Sequence, residues 1–213
     1  NIMGASKRLS EIIVQTYAGE QKLSRKKQKT SFSMVRFGNV LNSSGSVVPL
    51  FKKQIASGGP ITITHPEIIR FFMTISEAVE LVIIASNFSR GGEIFLLNMG
   101  EPVKIKDLAL KMINLSGLNL KNKSNPNGDI EIIYSGLRPG EKLFEELLID
   151  GNSLPTKHPL IFCAKEKSLT SNYLWPKIEE LKKALNDFDK DSVLHLVKEL
   201  IPEWNNKNIV KKN

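Results

Sequence analysis

The sequence contains very little cysteine and no long apolar run. Cys163 is the only cysteine among 213 residues, which excludes an internal disulfide and favours a reducing compartment. No apolar stretch approaches the roughly 20 residues that a membrane-spanning helix requires, and no signal peptide is recognisable. We therefore expect any membrane anchor to lie upstream of these residues.

Motifs for several kinds of chemistry are also missing. The sequence has no Gly-x-Gly-x-x-Gly turn, which holds the pyrophosphate of a dinucleotide, and no Gly-x-Ser-x-Gly nucleophile motif. His65, His158 and Cys163 are scattered and do not have the spacing of metal ligands, so we expect no metal. His195 falls in a predicted amphipathic helix and is expected to be a surface or packing residue.

Acidic residues are absent between residues 22 and 29. This segment holds five basic residues and supplies five of the eight net positive charges of the chain; they are Lys22, Arg25, Lys26, Lys27 and Lys29. It has no interleaved aromatic residues and belongs to no recognisable nucleic-acid module. We therefore expect a solvated loop and no nucleic-acid partner.

The composition is that of a soluble globular protein, with 41% hydrophobic and 24% charged residues. The length suits one domain with a core, or one domain and an appendage. Residue patterns predict helices over 2–20, 48–56, 75–86, 105–115, 176–185 and 192–201, and strands over 30–37, 61–64, 93–98 and 130–134. The polar segment 119–128 is predicted to be a surface loop. Thr74 and Glu77 have the spacing of a helix capping box.

The first predicted helix carries the first candidate site. Apolar residues recur there at three- and four-residue steps, as in Ile2, Ala5 and Leu9, so one face is suited to burial. Met3 and Lys7 are one turn apart and share a face. A lysine in this position could hold a ribose and perturb a neighbouring proton donor. From spacing alone, an exposed lysine beside a core methionine is the more common arrangement.

Further candidates lie near the ends of predicted strands. Residues 36–39 close the strand 30–37, at the edge where open α/β sheets bind ligands. The loop 43–46 allows close backbone approach to a ligand, although a plain turn explains it equally well. Arg138 and Glu141 provide a guanidinium and a carboxylate, which suit a diphosphate and a ribose diol. Without other information, a surface ion pair at a tight turn is the preferred interpretation.

Six segments together resemble a known family. They are 1–8 (Asn-Ile-Met-Gly-Ala-Ser-Lys-Arg), 34–41, 58–67, 70–74, 91–95 and 136–142. In this order they are similar to the extended short-chain dehydrogenase/reductases. Within these, they most resemble the large nucleotide-sugar 4,6-dehydratases of bacterial polysaccharide biosynthesis, the CapD-like branch.

The resemblance covers roughly residues 1–165 and includes one departure from most of the superfamily. Where most members have Tyr-x-x-x-Lys, this chain has Met3-Gly4-Ala5-Ser6-Lys7. Methionine at that place marks the large, membrane-anchored branch.

This resemblance implies a fold. The expected fold class is α/β, the C-terminal part of a doubly wound NAD(P)-binding Rossmann-type fold with a smaller α/β substrate-binding subdomain. Residues 1–165 would contain both parts interleaved, and residues 166–213 would form a helical C-terminal appendage with a frayed tail after Trp204. Because the dinucleotide turn is missing and the first residue is asparagine, we expect a partial sequence of such an enzyme.

The resemblance also implies a reaction and its cofactor. NAD, rather than NADP, would take a hydride from C4 of the sugar, water would be eliminated across C5 and C6, and the hydride would return to C6. The product would be a 4-keto-6-deoxy sugar. Lys7 would hold the nicotinamide ribose, whereas Met3 cannot exchange a proton because a thioether has no ionisable hydrogen. The remaining cofactor contacts and the acid/base pair for elimination would lie upstream.

By the same resemblance, four residues would bind the substrate. Arg138 would contact the nucleotide diphosphate and Glu141 the ribose or nearby hydroxyls, with Asn39 and Arg70 as further phosphate-side contacts. The expected substrate is a UDP-sugar, with UDP-N-acetylglucosamine as the first choice.

The implied partners are the upstream half of the same enzyme and further copies of the chain in a homo-oligomer. The parent protein would work on the cytoplasmic side of the inner membrane, held there only by an upstream anchor. Two alternatives stay open. One is a non-catalytic nucleotide-sugar-binding module, because the dinucleotide fingerprint is missing. The other is an epimerase or reductase of the superfamily, which Met3 disfavours because those enzymes usually keep the tyrosine.

Overall fold

The computed structural model describes residues 1–23, 30–145 and 152–204. The helices in these residues are α1 (Ile2–Leu23), α2 (Val47–Ala56), α3 (Ile75–Phe88), α4 (Ile105–Leu115), α5 (Ser171–Asn186) and α6 (Lys190–Leu200). The strands are β1 (Met34–Arg36), β2 (Asn39–Val40), β3 (Ile61–Ile63), β4 (Ile69–Arg70), β5 (Phe72–Met73), β6 (Ile94–Leu97), β7 (Val103–Lys104), β8 (Leu120–Lys121), β9 (Ile130–Tyr134), β10 (Leu154–Pro155) and β11 (Ile161–Cys163). Intermixed helices and parallel strand pairs confirm the predicted α/β class.

The largest sheet has the strand order β1-β6-β11-β10. β1 and β6 run parallel, with Val35 opposite Phe95, whereas β11 is antiparallel to both β6 and β10. All residues of β6 are buried, which is why this strand is an uninterrupted apolar run. α3 packs beside it, since Leu81 and Leu97 belong to one buried apolar cluster.

A smaller parallel sheet has the strand order β3-β9-β8. α2 and α4 both contact β3, and Phe51, Ile61 and Ile113 share one buried cluster there. Two short pairs lie nearby, β2 parallel to β5 and β4 antiparallel to β7. β2 lies between β1 and α2 in the chain, so the chain that leaves the large sheet pairs with β5 before it enters α2.

α1, α5 and α6 form a third apolar cluster. Leu9, Leu174 and Leu200 are buried in it together with Trp204. Residues 166–204 therefore share a core with the first helix. The predicted domain division at residue 165 stays a prediction. No helix in the described ranges is long and apolar enough to cross a membrane.

The predicted capping box is confirmed at the start of α3. The backbone N–H of Thr74 donates to Glu77 Oε2 at 2.6 Å, and the N–H of Glu77 donates to Thr74 Oγ1 at 3.2 Å. Hydrogen bonds to Glu77 from the Thr74 backbone and hydroxyl lower the pKa of this carboxyl, because they stabilise its charged form.

Several predicted boundaries were wrong. The strand predicted over 30–37 is reduced to β1, since only its last residues pair with β6. α1 continues to Leu23, beyond its predicted end. α5 begins at Ser171 rather than near Pro176, so this proline lies inside the helix, where it removes one backbone hydrogen bond.

Seven short strands were not predicted: β2, β4, β5, β7, β8, β10 and β11. β8 lies within 119–128, which was predicted to be entirely loop. Elements of two or three residues are too short to show an alternating pattern, and they exist only because a partner strand lies beside them. Most of the basic segment 22–29 and the predicted frayed tail lie outside the described residues.

Candidate functional site

A cavity of about 640 Å³ opens near the ends of β2, β3 and β9. Binding sites for small molecules commonly have volumes of roughly 300–1,000 Å³. β3 and β9 run parallel, so their carboxyl ends lie at the same edge, where Thr64 and Ser135 line the cavity. This is the kind of edge at which open α/β sheets bind ligands.

All four residues predicted to bind substrate line this cavity. Asn39 is the first residue of β2, Arg70 is the last residue of β4, and Arg138 and Glu141 lie in the turn after β9. Residues that are far apart in the sequence therefore present an amide, two guanidinium groups and a carboxylate to one space. That arrangement can recognise an anion beside a group rich in hydroxyls.

The Glu141 side chain stabilises the turn from Arg138 to Glu141. The backbone N–H of Arg138 donates to Glu141 Oε2 at 3.0 Å, and the N–H of Glu141 donates to the Arg138 carbonyl at 2.9 Å. Thr64 Oγ1 donates to the other carboxylate oxygen of Glu141 at 3.0 Å. Gly140 has φ +77°, a conformation that glycine adopts most easily. The carboxylate thus has a structural function in addition to the predicted contact with ribose.

Arg70 is largely buried but loosely paired. Its side chain is 16% exposed, with Nη2 at 3.6 Å from Glu141 Oε1 and Nε at 3.4 Å from Glu145 Oε2. Among the described residues its one hydrogen bond runs from Nη1 to the carbonyl of Ile69, at 2.6 Å. Several N–H donors of this guanidinium therefore remain available to an anion in the cavity.

Arg138 does not form the surface ion pair that was the alternative prediction for this turn. Arg138 is exposed, and Glu141 pairs with Arg70 instead. Across the part of the chain that the structure describes, no residue pairs with the Arg138 guanidinium. Arg138 is thus free to meet a ligand at the mouth of the cavity.

The N-terminus of α2 forms another wall, which the sequence indicated only as a small-residue loop. Ser43, Ser46 and Val47 line the cavity there. Ser46 is the N-cap, but its side chain makes no capping bond, and its Oγ is buried without a partner in the described residues. Free backbone N–H groups and the helix dipole favour an anion at this position.

Met3 and Lys7 do not line the cavity. Met3 is 63% exposed, so the alternative of a core methionine is wrong. Lys7 is also exposed, and its ammonium group has no partner within the described ranges. The start of α1 nevertheless contacts the turn at the cavity, because Asn1 Nδ2 donates to the carbonyl of Gly140 at 3.1 Å.

Arg36 lies outside the cavity and has a structural function. It donates from Nε to Glu11 Oε1 at 2.6 Å and from Nη1 to Glu166 Oε1 at 2.8 Å. The hydrogen bond to Glu11 and the nearby negative charges raise the pKa of this guanidinium above its usual range. Within the predicted segment 36–39, only Gly38 and Asn39 line the cavity.

No cluster of three or more His, Cys, Asp or Glu residues in the described parts of the chain could hold a metal ion. For an anionic ligand, the cavity lining offers cationic side chains and the amides at the start of α2.

Sequence comparison identifies relatives along most of the chain. The family described as "Polysaccharide biosynthesis protein" matches residues 1–166. The capsular polysaccharide biosynthesis protein CapD of Staphylococcus aureus is 45% identical over 197 residues, which cover 92% of this chain and 30% of that protein. A UDP-glucose 4-epimerase of Rickettsia bellii is 36% identical over 149 residues, covering 70% of this chain and 39% of the epimerase. The chain thus spans less than half the length of these curated relatives.

Solved structures share the fold. Pen from Bacillus thuringiensis matches 78% of this chain and 48% of its own, with a TM-score of 0.61 and 33% identity. DesIV, a dTDP-glucose 4,6-dehydratase from Streptomyces venezuelae solved with NAD bound, matches 65% of this chain and 39% of its own. The TM-score is 0.51 and the sequence identity 15%, so this similarity shows only that the fold is shared. The fold is therefore of the Rossmann type found in short-chain dehydrogenase/reductases, as predicted.

Proposed function

We propose a function from one premise: the chain belongs to the family of polysaccharide biosynthesis proteins. The proposed function is to provide the nucleotide-sugar site of an NAD-dependent UDP-sugar 4,6-dehydratase. One observation carries the proposal: Asn39, Arg70, Arg138 and Glu141 line a single cavity of about 640 Å³. The proposed substrate is UDP-N-acetylglucosamine.

Each group at the cavity suits one part of a sugar nucleotide. Arg70 and Arg138 provide guanidinium donors for the diphosphate, and the free amides at the start of α2 add neutral donors. Glu141 can accept hydrogen bonds from ribose hydroxyls while its other contacts hold it in place. The Asn39 side chain can donate and accept beside the phosphates.

Lys7 and Met3 suit only part of an NAD site. The ammonium group of Lys7 is exposed and has no partner among the described residues, so it could hold the nicotinamide ribose. When bound, NAD⁺ would supply hydride acceptance and return. Met3 cannot move a proton, and this sequence has no glycine-rich pyrophosphate turn. We therefore assign the pyrophosphate and the proton transfers to residues of a longer polypeptide.

A UDP-sugar 4-epimerase is the second candidate. It is supported by the 36% identity to the Rickettsia bellii UDP-glucose 4-epimerase. Both candidates need the same nucleotide contacts, so the cavity does not separate them. The separation depends on the product, because dehydration removes one water whereas epimerisation leaves the mass unchanged.

Calorimetric titration of UDP and uridine into the 213-residue chain tests the nucleotide site. We expect UDP to bind much more tightly than uridine, since the cavity offers donors for phosphate. Equal affinities would refute a diphosphate site. A protein that joins this chain to a dinucleotide-binding segment would then be incubated with NAD⁺ and UDP-N-acetylglucosamine. A product lighter by one water supports the dehydratase, an isomer of equal mass supports the epimerase, and binding without turnover supports a non-catalytic module.

A further inference from the structure

Arg70 is approached by two carboxylates from different places. Glu141 lines the cavity, whereas Glu145 does not. Glu145 Oε2 lies 3.4 Å from Arg70 Nε, and Glu141 Oε1 lies 3.6 Å from Arg70 Nη2. The two acidic residues therefore contact different nitrogen atoms of one guanidinium, and Glu145 does so from outside the ligand space.

The two carboxylates also differ in their other contacts. Glu141 accepts hydrogen bonds from Thr64 and from the backbone of Arg138, so changing it would disturb the turn as well as Arg70. In the described part of the chain, the carboxylate of Glu145 forms an ion pair with Arg70 and has no other ion pair or hydrogen bond. Apart from the direct effect of its charge, Glu145 can therefore influence a ligand in the cavity only through Arg70.

The segment that carries Glu145 is attached to the strand that carries Arg70. The backbone N–H of Ile69 donates to the carbonyl of Leu143 at 3.3 Å, and Leu143 packs against the apolar cluster of the smaller sheet. Leu143 lies midway between Glu141 and Glu145. These contacts tie the segment between the two carboxylates to β4 and to the smaller sheet.

We propose that Glu145 is a positioning residue that holds the Arg70 guanidinium at the cavity wall, ready to meet the phosphate groups. The inference rests on the function proposed above. An arginine side chain has many rotamers, and ordering it when the ligand binds weakens the affinity. The opposing effect, repulsion between Glu145 and the anion, is small because this side chain is 39% exposed and solvent screens its charge.

The UDP affinity of the Glu145→Ala variant tests the proposal. Glu101→Ala is the matched control, because Glu101 is an exposed acidic residue that does not line the cavity. We expect Glu145→Ala to weaken UDP binding about 2- to 10-fold, the equivalent of ordering one long side chain. Uridine binding should not change, since uridine has no phosphate, and the control should leave both ligands unaffected. In an Arg70→Ala background, Glu145→Ala should have no further effect.

A measurement without ligand separates this proposal from the proposed function. The Arg70 Nε–H signal in an NMR spectrum can be identified by its loss in Arg70→Ala, and its exchange with solvent should be faster in Glu145→Ala. Unchanged exchange would overturn the positioning role even if UDP binds. Three binding results would also overturn the positioning role. The first is unchanged or tighter UDP binding by Glu145→Ala. The others are a loss of UDP affinity that persists in the Arg70→Ala background and an equal loss of affinity for UDP and uridine. A wild-type chain that does not bind UDP would refute the proposed function, while the exchange rate would still decide whether Glu145 holds Arg70.

Discussion

Arg36 and Arg70 both end a strand, yet their surroundings give them different functions. Arg36 donates short hydrogen bonds to Glu11 and Glu166, so carboxylates of the protein itself neutralise its charge. The carboxylates nearest to Arg70 lie at 3.4 and 3.6 Å, so its guanidinium donates no short hydrogen bond to either of them. At the scale of single residues, the distance to the nearest carboxylate distinguishes a structural arginine from one available to a ligand.

Arg138→Ala should weaken UDP binding more than it destabilises the fold. The guanidinium is exposed at the cavity, and a charge-assisted hydrogen bond contributes about 1.5–3 kcal/mol, which corresponds to roughly a 10- to 150-fold loss of affinity. Calorimetric titration with UDP and thermal melts without ligand measure the two effects separately.

Arg90→Ala is the matched control for Arg138→Ala, because Arg90 is exposed and does not line the cavity. It should bind UDP like the wild type. An Arg138→Ala protein that binds UDP normally but melts much earlier would show that Arg138 is structural.

At the scale of elements, the start of α3 should become less stable in acid. The Thr74 hydrogen bonds lower the pKa of Glu77 in the folded state. This contribution is therefore present above the unfolded pKa and is lost as the pH falls through the folded pKa. Glu77→Ala should lower the melting temperature at neutral pH, and the difference from wild type should vanish in acid.

Thr74→Ala removes the other half of the capping box and should destabilise the protein by about 1 kcal/mol, or roughly 2–4 °C in melting temperature. Glu80→Ala is the control, since Glu80 is an exposed residue of the same helix outside the box. Melts from neutral to acidic pH provide the comparison. A difference between Glu77→Ala and wild type that persists in acid would contradict the assigned cause.

Gly128 is required by the close approach of β8, not by a special backbone angle. A Cβ at this position would clash with the carbonyl oxygen of Leu120, so Gly128→Ala should destabilise the protein by roughly 1–3 kcal/mol. Gly19 lies in α1, and a Cβ added there would have nothing within 4 Å, so Gly19→Ala should be neutral or stabilising because alanine favours helix. Denaturant unfolding of both variants tests this pair; a neutral Gly128→Ala would show that β8 can move away.

At the scale of the whole molecule, three apolar clusters hold the described chain together. The cavity lies beside the cluster of the smaller sheet, which shares Phe51, Ile63 and Ile105 with its lining. Lys7 belongs to α1, whose buried face is part of another cluster. The two parts of the proposed site therefore depend on separate cores, and the contact from Asn1 to Gly140 links them.

The 213-residue chain should not convert UDP-N-acetylglucosamine when NAD⁺ is added. The sequence contains no glycine-rich pyrophosphate turn, and Met3 cannot transfer a proton. Detection of the 4-keto product measures this, with an active dTDP-glucose 4,6-dehydratase and its own substrate as the positive control. Robust turnover would mean that other residues of this chain perform the hydride and proton transfers.

Long elements and the capping box were predictable from the sequence because their signals are local. Apolar periodicity predicted α1, α4 and the buried strand β6, and the spacing of Thr74 and Glu77 predicted their mutual hydrogen bonds. The strands of two and three residues were not predictable, since their pairing depends on distant partners.

The sequence by itself determined the family, the α/β class and the types of polar side chain available for a ligand. Tertiary structure alone decided that Asn39, Arg70, Arg138 and Glu141 share one cavity while Lys7 lies outside it. It also decided that Arg70, not Arg138, pairs with Glu141. The physical reason is that hydrophobic periodicity depends on neighbours along the chain, whereas the partner of a charged group depends on which strands and turns pack beside it.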